Sequence, residues 1–112
     1  MIEMVVEEDG DVLTISARPE GGLTFTMRAE GRTRSCVTDA DDSFDILEFL
    51  EGEHYLELPN RGHLNSVVAF EYLGGSPSIE IIHNAFAYYV ILEGEDAETF
   101  KEMVYPSMRN KD

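Results

Sequence analysis

The first third of the chain alternates hydrophobic and polar residues with the two-residue period of a β-strand. In the segment LTFTMRA the apolar side chains share one face and belong to Leu23, Phe25, Met27 and Ala29. Asp9-Gly10 and Glu30-Gly31 have the composition of tight hairpin turns, because such turns need residues that tolerate positive φ angles. The pattern therefore predicts four antiparallel strands, at about 2–8, 11–17, 23–29 and 32–38.

The period then changes to that of an amphipathic helix. Apolar residues recur at helical spacing before a glycine, and they are Phe44, Ile46, Leu47, Phe49 and Leu50. The glycine, Gly52, is suited to the position just after the end of a helix. The segment therefore predicts a helix at 43–51, with Asp42 or Ser43 as its N-cap.

A second helical segment lies near the C-terminus of the sequence. Its apolar stripe consists of Ala97, Phe100, Met103 and Val104. Asp96 is the candidate N-cap, and Pro106 is expected to end the helix because proline cannot continue the backbone hydrogen bonds. This predicts a helix at 95–105.

The chain between the two helices returns to strand-like segments. HYLEL predicts a strand at 54–58, and LNSVVAFEYL predicts a longer one at 64–73 that ends at the turn sequence GGSP. SIEIIH and FAYYVIL predict two further strands at 78–83 and 86–92. Because FAYYVIL is apolar on both faces, it is expected to be a central strand that is covered on both sides.

These elements predict a single α+β domain over residues 1–112. Its sheet is expected to be mainly antiparallel, with about seven or eight strands, and to be curved or split into two packed sheets. The two helices would cover the apolar faces. The order of four strands and a helix occurs twice, but the two halves share no residue pattern, so the sequence favours coincidence over duplication.

The charge of the chain narrows the classes of partner. There are 23 acidic residues against 8 lysines and arginines, and the net charge is −15. Direct binding to nucleic acid or to an anionic membrane is disfavoured, because both need clustered basic side chains. A basic partner protein would be attracted. The alternative interpretation is that the acidity serves solubility or tolerance of high salt.

The acidic residues fall into groups along the chain. One lies at the first hairpin and consists of Glu7, Glu8, Asp9 and Asp11. The others lie in and around the two helices, and they supply the candidate partner-binding residues: Asp39, Asp41, Asp42, Asp45, Glu48, Glu51, Glu53, Glu93, Glu95, Asp96 and Glu98. If these groups share one side, they form a negative face edged by Phe, Tyr and Leu side chains.

The segment TDADDSFD, at 38–45, resembles a calcium loop in its density of aspartates. An EF-hand loop that starts at Asp39 would need glycine at its sixth position and glutamate at its twelfth. Those positions are Phe44 and Leu50, so the EF-hand interpretation fails. The favoured interpretation is a helix entrance, where carboxylates stabilise the positive end of the helix. A looser cation site, made by Asp39, Asp41 and Asp42, is the alternative.

The remaining candidate residues show no catalytic or cofactor-binding pattern. His54, His63 and His83 lack the spacing of metal ligands on one helix, and they are interpreted as surface or turn residues. Cys36 lies in a predicted strand and is interpreted as a small buried residue. An arginine cluster is expected around the third hairpin, and it consists of Arg28, Arg32 and Arg34, with Arg18 nearby. Pairing with acids of the same chain, or solvation, is favoured over binding of a carboxylate or phosphate ligand. No phosphate-binding loop or dinucleotide fingerprint occurs, so no cofactor or metal is expected and an enzyme is disfavoured.

The start of the sequence, MIEMVVEEDG, lacks the basic and apolar regions of a signal peptide. The longest near-apolar run, at 85–92, is far too short to span a membrane. We therefore expect a cytoplasmic protein. The function that we predict is a small acidic protein-binding module, of the inhibitor, immunity or nucleic-acid-mimic type, that occupies a basic surface. The alternative is an accessory or structural domain that forms a homo-oligomer, such as a homodimer.

Overall fold

The computed structural model describes residues 3–62 and 65–109. Within these residues the chain forms eight strands and two helices, and the fold is α+β as predicted. In chain order the elements are β1 Glu3–Glu8, β2 Asp11–Ala17, β3 Leu23–Ala29, β4 Arg32–Val37, α1 Ala40–Leu50, β5 Tyr55–Pro59, β6 Ser66–Leu73, β7 Ser76–His83, β8 Phe86–Ile91 and α2 Glu95–Ser107.

The strands form two four-stranded antiparallel sheets, and sequential strands are neighbours in both. The first sheet has the order β1-β2-β3-β4, and the second has the order β5-β6-β7-β8. In the first sheet, Asp9 and Gly10 both have positive φ, as the predicted hairpin turn requires. Each sheet is followed by one helix. The order of four antiparallel strands and a helix therefore occurs twice with the same topology.

Both sheets and both helices share one hydrophobic core. Four fully buried phenylalanines meet at its centre, one from each sheet and one from each helix: Phe25, Phe49, Phe70 and Phe100. The Phe70 ring centroid lies 5.8 Å from that of Phe25, 5.7 Å from that of Phe49 and 6.3 Å from that of Phe100. Burial of apolar surface at this junction joins the two repeats into one packed unit.

The strand β8 differs from its prediction as a central, doubly covered strand. Among the described strands it pairs only with β7, and it is an edge strand of the second sheet. Its burial alternates, since Phe86 and Val90 are buried whereas Ala87 and Tyr89 are exposed. A tyrosine can face water because its hydroxyl is polar, so an aromatic residue in a strand does not establish that its face is covered.

Both helices have N-caps other than those predicted, although α2 begins at Glu95 as predicted. The helix α1 starts at Ala40 and is capped by Asp39, so the prediction of Asp42 or Ser43 as N-cap is wrong. The helix α2 is preceded by Gly94 as N-cap, so the prediction of Asp96 is also wrong. Asp39, Asp42 and Asp96 all have side chains that can cap a helix. Only the backbone angles decide which residue stands at the helix boundary.

The helix α2 also continues past Pro106 to Ser107. Proline removes its own backbone hydrogen bond, but the last turn here has side-chain support. The hydroxyl oxygen of Ser107 lies 2.6 Å from the carbonyl oxygen of Val104 and 2.8 Å from the hydroxyl oxygen of Ser43. The second contact joins the C-terminal end of α2 to the first turn of α1. Neither described helix is long and apolar enough to cross a bilayer.

Candidate functional site

The segment TDADDSFD is a helix entrance, as the sequence analysis favoured, and it forms a reciprocal capping box. The amide of Asp42 donates to the carboxylate of Asp39 at 2.9 Å, and the amide of Asp39 donates to the carboxylate of Asp42 at 3.0 Å. Asp42 is only 3% exposed. The capping box therefore places one carboxylate inside the protein, where it needs a further partner.

That partner is Arg61, from the loop between β5 and β6. Its Nε and Nη2 atoms donate to the two carboxylate oxygens of Asp42 at 3.0 and 2.8 Å. Burial alone would raise the pKa of Asp42, but the hydrogen bonds and charge of Arg61 and the bonds from Asp39 outweigh it and lower the pKa. Arg61 thus fills the place that a cation would take between Asp39 and Asp42.

Arg61 is held by its own loop, and the sequence analysis missed it. Its amide donates to the carbonyl of Val37 at 2.7 Å. The side chain of the adjacent Asn60 accepts from the amides of Val37 and Gly62 and donates to the carbonyl of Ser35. The sequence PNRG signals only a turn, and no local pattern shows that its arginine reaches a helix 19 positions earlier.

The other predicted acids of the two helices lie mostly at the surface. On α1 the exposed acids are Asp41, Asp45 and Glu48, and on α2 they are Glu95, Glu98 and Glu102, with Asp96 partly buried. The C-terminal end of α2 contacts the start of α1. The acidic start of α2 therefore lies about 18 Å from that contact, measured along the axis of α2. The role of these acids in binding a partner stays a prediction.

The histidines and Cys36 do not assemble a site in the part of the chain that the structure describes. His54 is exposed, His83 is partly buried at the end of β7, and His63 lies outside the described residues. Cys36 is buried, as predicted, and burial raises the pKa of its thiol. Among the described residues no group of three or more His, Cys, Asp or Glu side chains is placed to hold a metal.

The predicted arginine cluster is divided between two faces of the first sheet. Arg32 and Arg34 extend from β4, and each guanidinium lies 5.5 Å from the centroid of the Phe86 ring. Arg28 lies on β3 opposite Thr33, which alternates with Arg32 and Arg34 along β4. Its side chain is therefore on the outer face of the sheet. Arg18 is bonded to Glu20 and to the carbonyl of Thr38. The expected single cluster is therefore wrong, because alternate residues of a strand face opposite sides.

The outer face of the second sheet carries the most distinctive surface of the described chain. We call it the tyrosine–glutamate surface and define it as Tyr55, Glu57, Ala69, Glu71, Ser78, Glu80 and Tyr89. Strand register places these residues in two adjacent rows, one running Tyr55, Glu71, Ser78 and the other running Glu57, Ala69, Glu80, Tyr89. The inner residues of the same strands fill the core, so the alternation of each strand directs this set outward.

The surface contains a concave site between its two tyrosines. Tyr55 on β5 is 52% exposed and Tyr89 on β8 is 46% exposed, and these are the two edge strands of the sheet. Between them the small side chains of Ala69 and Ser78 form a floor. The resulting cavity has a volume of about 260 Å³ and is lined by both tyrosines, the two floor residues, Leu73, Glu71 and Glu80.

The carboxylates of this surface influence one another and the nearest tyrosine. The hydroxyl of Tyr55 donates to the carboxylate of Glu57 at 2.9 Å. This hydrogen bond, burial and the charges of Glu57, Glu71 and Glu80 raise the pKa of Tyr55. Burial, followed by the charge of Glu71, raises the pKa of Glu80. The cavity therefore holds negative charge that its own surroundings do not neutralise fully.

Further acids border the tyrosine–glutamate surface. Beside β8, a second cavity of about 200 Å³ is lined by Tyr89, by Tyr88, by Ala87 and by three acids of the first hairpin, namely Glu8, Asp9 and Asp11. The start of β5 and the end of β8 lie at the same end of the sheet. Glu53 and Glu93, which stand two residues beyond these strand ends, therefore extend the negative region past that end.

The outer face of the first sheet has different chemistry. On β1 this face carries Glu3, Val5 and Glu7, whereas on β2 to β4 it presents mainly hydroxyl groups, from Thr14, Ser16, Thr24, Thr26, Thr33 and Ser35. Arg28 is the charged residue of this part of the face. The two repeats therefore share a topology but differ in the residues of their outer faces.

We predict that Glu80→Gln will stabilise the protein at neutral pH. The raised pKa of Glu80 means that folding disfavours its charged form, so this carboxylate opposes folding above its folded-state pKa. The expected gain in the free energy of unfolding is about 0.5–1 kcal/mol. Urea unfolding at pH 7 and below pH 4 measures it.

The gain from Glu80→Gln should vanish at the acidic pH, where Glu80 is protonated in the parent protein. Glu7→Gln, at an exposed position of β1, is the control for the change in net charge. A Glu80→Gln variant that is less stable than the parent at pH 7 would contradict the electrostatic account of this cavity.

No known protein family matches this chain, and no curated protein or solved structure is similar enough to it to count as a match. The class of the protein is therefore set by its fold, an α+β domain of two four-stranded antiparallel sheets and two helices within the described residues.

Proposed function

We propose that this protein is a binding module for a basic segment of a partner protein, and that it binds through the tyrosine–glutamate surface. One observation carries the proposal: two carboxylates, of Glu71 and Glu80, and two half-exposed tyrosines line a cavity on the outer face of the second sheet, and a third carboxylate, of Glu57, accepts a hydrogen bond from Tyr55 beside it. Tyrosine is enriched at protein interfaces because it combines a large apolar ring with a polar hydroxyl.

The electrostatics of the whole chain support the same class of partner. A net charge of −15 attracts a basic protein over distances set by the screening length, about 10 Å at 0.1 M salt. The acids of the first hairpin and of the helices contribute to this long-range attraction. The tyrosines and the apolar row beside them, which consists of Pro59, Val67, Ile82 and Ala87, would then exclude water at the contact.

A pull-down with three baits tests the proposal. The first bait is the parent protein, and the second is the sheet variant E57Q/E71Q/E80Q. The third is the matched helix variant E95Q/D96N/E98Q, which removes the same three charges from the start of α2. Each bait is exposed to lysate of the native cell at about 0.1 M and 0.5 M salt, and bound proteins are identified by mass spectrometry.

We expect the parent to retain one basic partner at the lower salt and to lose most of it at the higher salt. The helix variant should behave like the parent, whereas the sheet variant should bind about tenfold or more weakly, because it loses three contacts as well as charge. Equal losses in both variants would mean that only net charge matters. Retention of no partner by any bait would favour the accessory or homo-oligomeric interpretation.

A further inference from the structure

We propose that the cavity of the tyrosine–glutamate surface is an anchor site for a single arginine side chain of the partner. This inference rests on the proposed function, since it names the group that the same surface recognises. It is argued from the size of the cavity, from the placement of its two inner carboxylates and from the aromatic rings at its sides.

The size of the cavity suits one side chain. Its volume of about 260 Å³ lies just below the range of about 300–1,000 Å³ that is usual for small-molecule sites. The depth comes from the floor, because Ala69 and Ser78 are small residues of the two central strands and each is only 4% exposed. A larger residue at position 69 would point from the same strand directly into this space.

The two inner carboxylates suit a planar, branched cation. Glu71 pairs with Ser78, and Glu80 pairs with Ala69, so the two glutamates are diagonal neighbours on adjacent strands. Such neighbours stand about 7–8 Å apart, and a guanidinium has five donors spread over a plane. It can therefore donate to both carboxylates at once. A lysine ammonium is a compact point charge and cannot span the same distance as well.

The aromatic walls favour the same group. A guanidinium can stack on the face of a tyrosine while it donates hydrogen bonds at its edge. Tyr55 and Tyr89 border the cavity from opposite edge strands and keep about half of their surface exposed. The raised pKa of Glu80 agrees with this assignment, because a cation in the cavity would offset the repulsion from Glu71.

The first test uses two small probes, N-acetyl-arginine methylamide and N-acetyl-lysine methylamide. Each is titrated into the full, ¹⁵N-labelled chain, and the backbone amide signals are followed by NMR. We expect the arginine probe to shift the signals of Ala69, Ser78, Glu80 and Tyr89 in a saturable manner, with millimolar affinity. The lysine probe should bind about threefold or more weakly.

Two variants make the test specific to the cavity. Ala69→Leu fills the floor and should abolish the saturable shifts, and Tyr89→Ala should weaken arginine binding about three- to tenfold. The helix variant E95Q/D96N/E98Q should bind the probe as the parent does. Tyr89 is half exposed, so its variant should fold even if Ala69→Leu does not.

The outcomes separate the anchor from the proposed function. Shifts that are equal for the two probes, or that are absent from the cavity residues, would overturn the arginine anchor. A partner that the sheet variant loses but Ala69→Leu retains at full affinity would also overturn it, while the proposed function would stand. A partner that the sheet variant binds as well as the parent does would overturn both.

Discussion

Replacement of Phe70 by alanine is expected to lower the free energy of unfolding by about 3–5 kcal/mol. Phe70 is fully buried, and its ring contacts phenylalanines from the first sheet and from both helices. The substitution would therefore leave a cavity where both sheets and both helices meet. Few neighbouring side chains there can relax without losing contacts of their own. Equilibrium unfolding in urea, followed by circular dichroism, measures the loss.

The control for Phe70→Ala is Val5→Ala, a truncation at a position of β1 that is 57% exposed. It should change the stability by less than about 0.5 kcal/mol. If Phe70→Ala does not fold, Phe70→Leu should still fold with a loss of about 1 kcal/mol. A loss below about 1 kcal/mol for Phe70→Ala would show that the two repeats do not depend on this shared core.

Replacement of Arg61 by methionine is expected to cost about 2–3 kcal/mol at pH 7. Removal of one partner from a buried ion pair costs about 3–5 kcal/mol, and we reduce this because the Arg61 side chain is 47% exposed. The substitution keeps a flexible, unbranched apolar stem but leaves the carboxylate of Asp42 buried without its bidentate donor. Arg28→Met, at an exposed position, is the matched control for the lost charge and should have little effect.

The pH dependence of the Arg61→Met variant has a definite sign. The lowered pKa of Asp42 in the folded parent contributes stability above its unfolded value of about 3.9, and this is lost as the pH falls through the folded value. In the variant burial remains while the main opposing contacts are gone, so the pKa of Asp42 should rise. The difference in stability between parent and variant should therefore shrink on acidification.

A second background makes the Arg61 prediction stricter. In a protein that carries Asp42→Asn, the further change Arg61→Met should cost less than about 1 kcal/mol, because no buried charge is left unpaired. An equal cost in both backgrounds would show that Arg61 acts through its loop contacts and not through Asp42.

The repeated topology gives the two sheets different tasks in this account. Both inner faces contribute to one core, so neither is available to a partner. The outer faces differ, with hydroxyl groups on β2 to β4 and two glutamates on β1 in the first sheet, and carboxylates with tyrosines in the second. A fold of this kind can change its partner by changing alternate strand residues, because these do not enter the core.

The sequence predicted the elements that local chemistry determines. The strands 11–17 and 23–29 were predicted with their observed bounds, because strict alternation and glycine-containing turns act over a few residues. The apolar stripe of α2 was also confirmed, since Phe100, Met103 and Val104 are buried. The net charge, and with it the expectation of a basic partner, follows from composition alone.

Part of the tyrosine–glutamate surface could be predicted from the sequence, but the prediction of a doubly covered β8 hid the role of Tyr89. Glu57, Glu71 and Glu80 occupy alternate positions in predicted strands, and this pattern marks an outward face. Tyr89 was assigned to a strand covered on both sides, because aliphatic and aromatic residues look alike in a hydrophobic pattern. The two tyrosines that border the cavity could not be connected from sequence, since β5 and β8 meet only through two intervening strands.

The tertiary structure alone decided which charges are available and which faces are open. Asp42 and Arg61 are 19 positions apart, and only folding shows that they neutralise each other. Local periodicity states that a residue faces one side or the other, but it does not state which side another element will cover. That choice depends on how distant segments pack, so the sequence determined the strands and the charge, whereas packing determined the surface that a partner can reach.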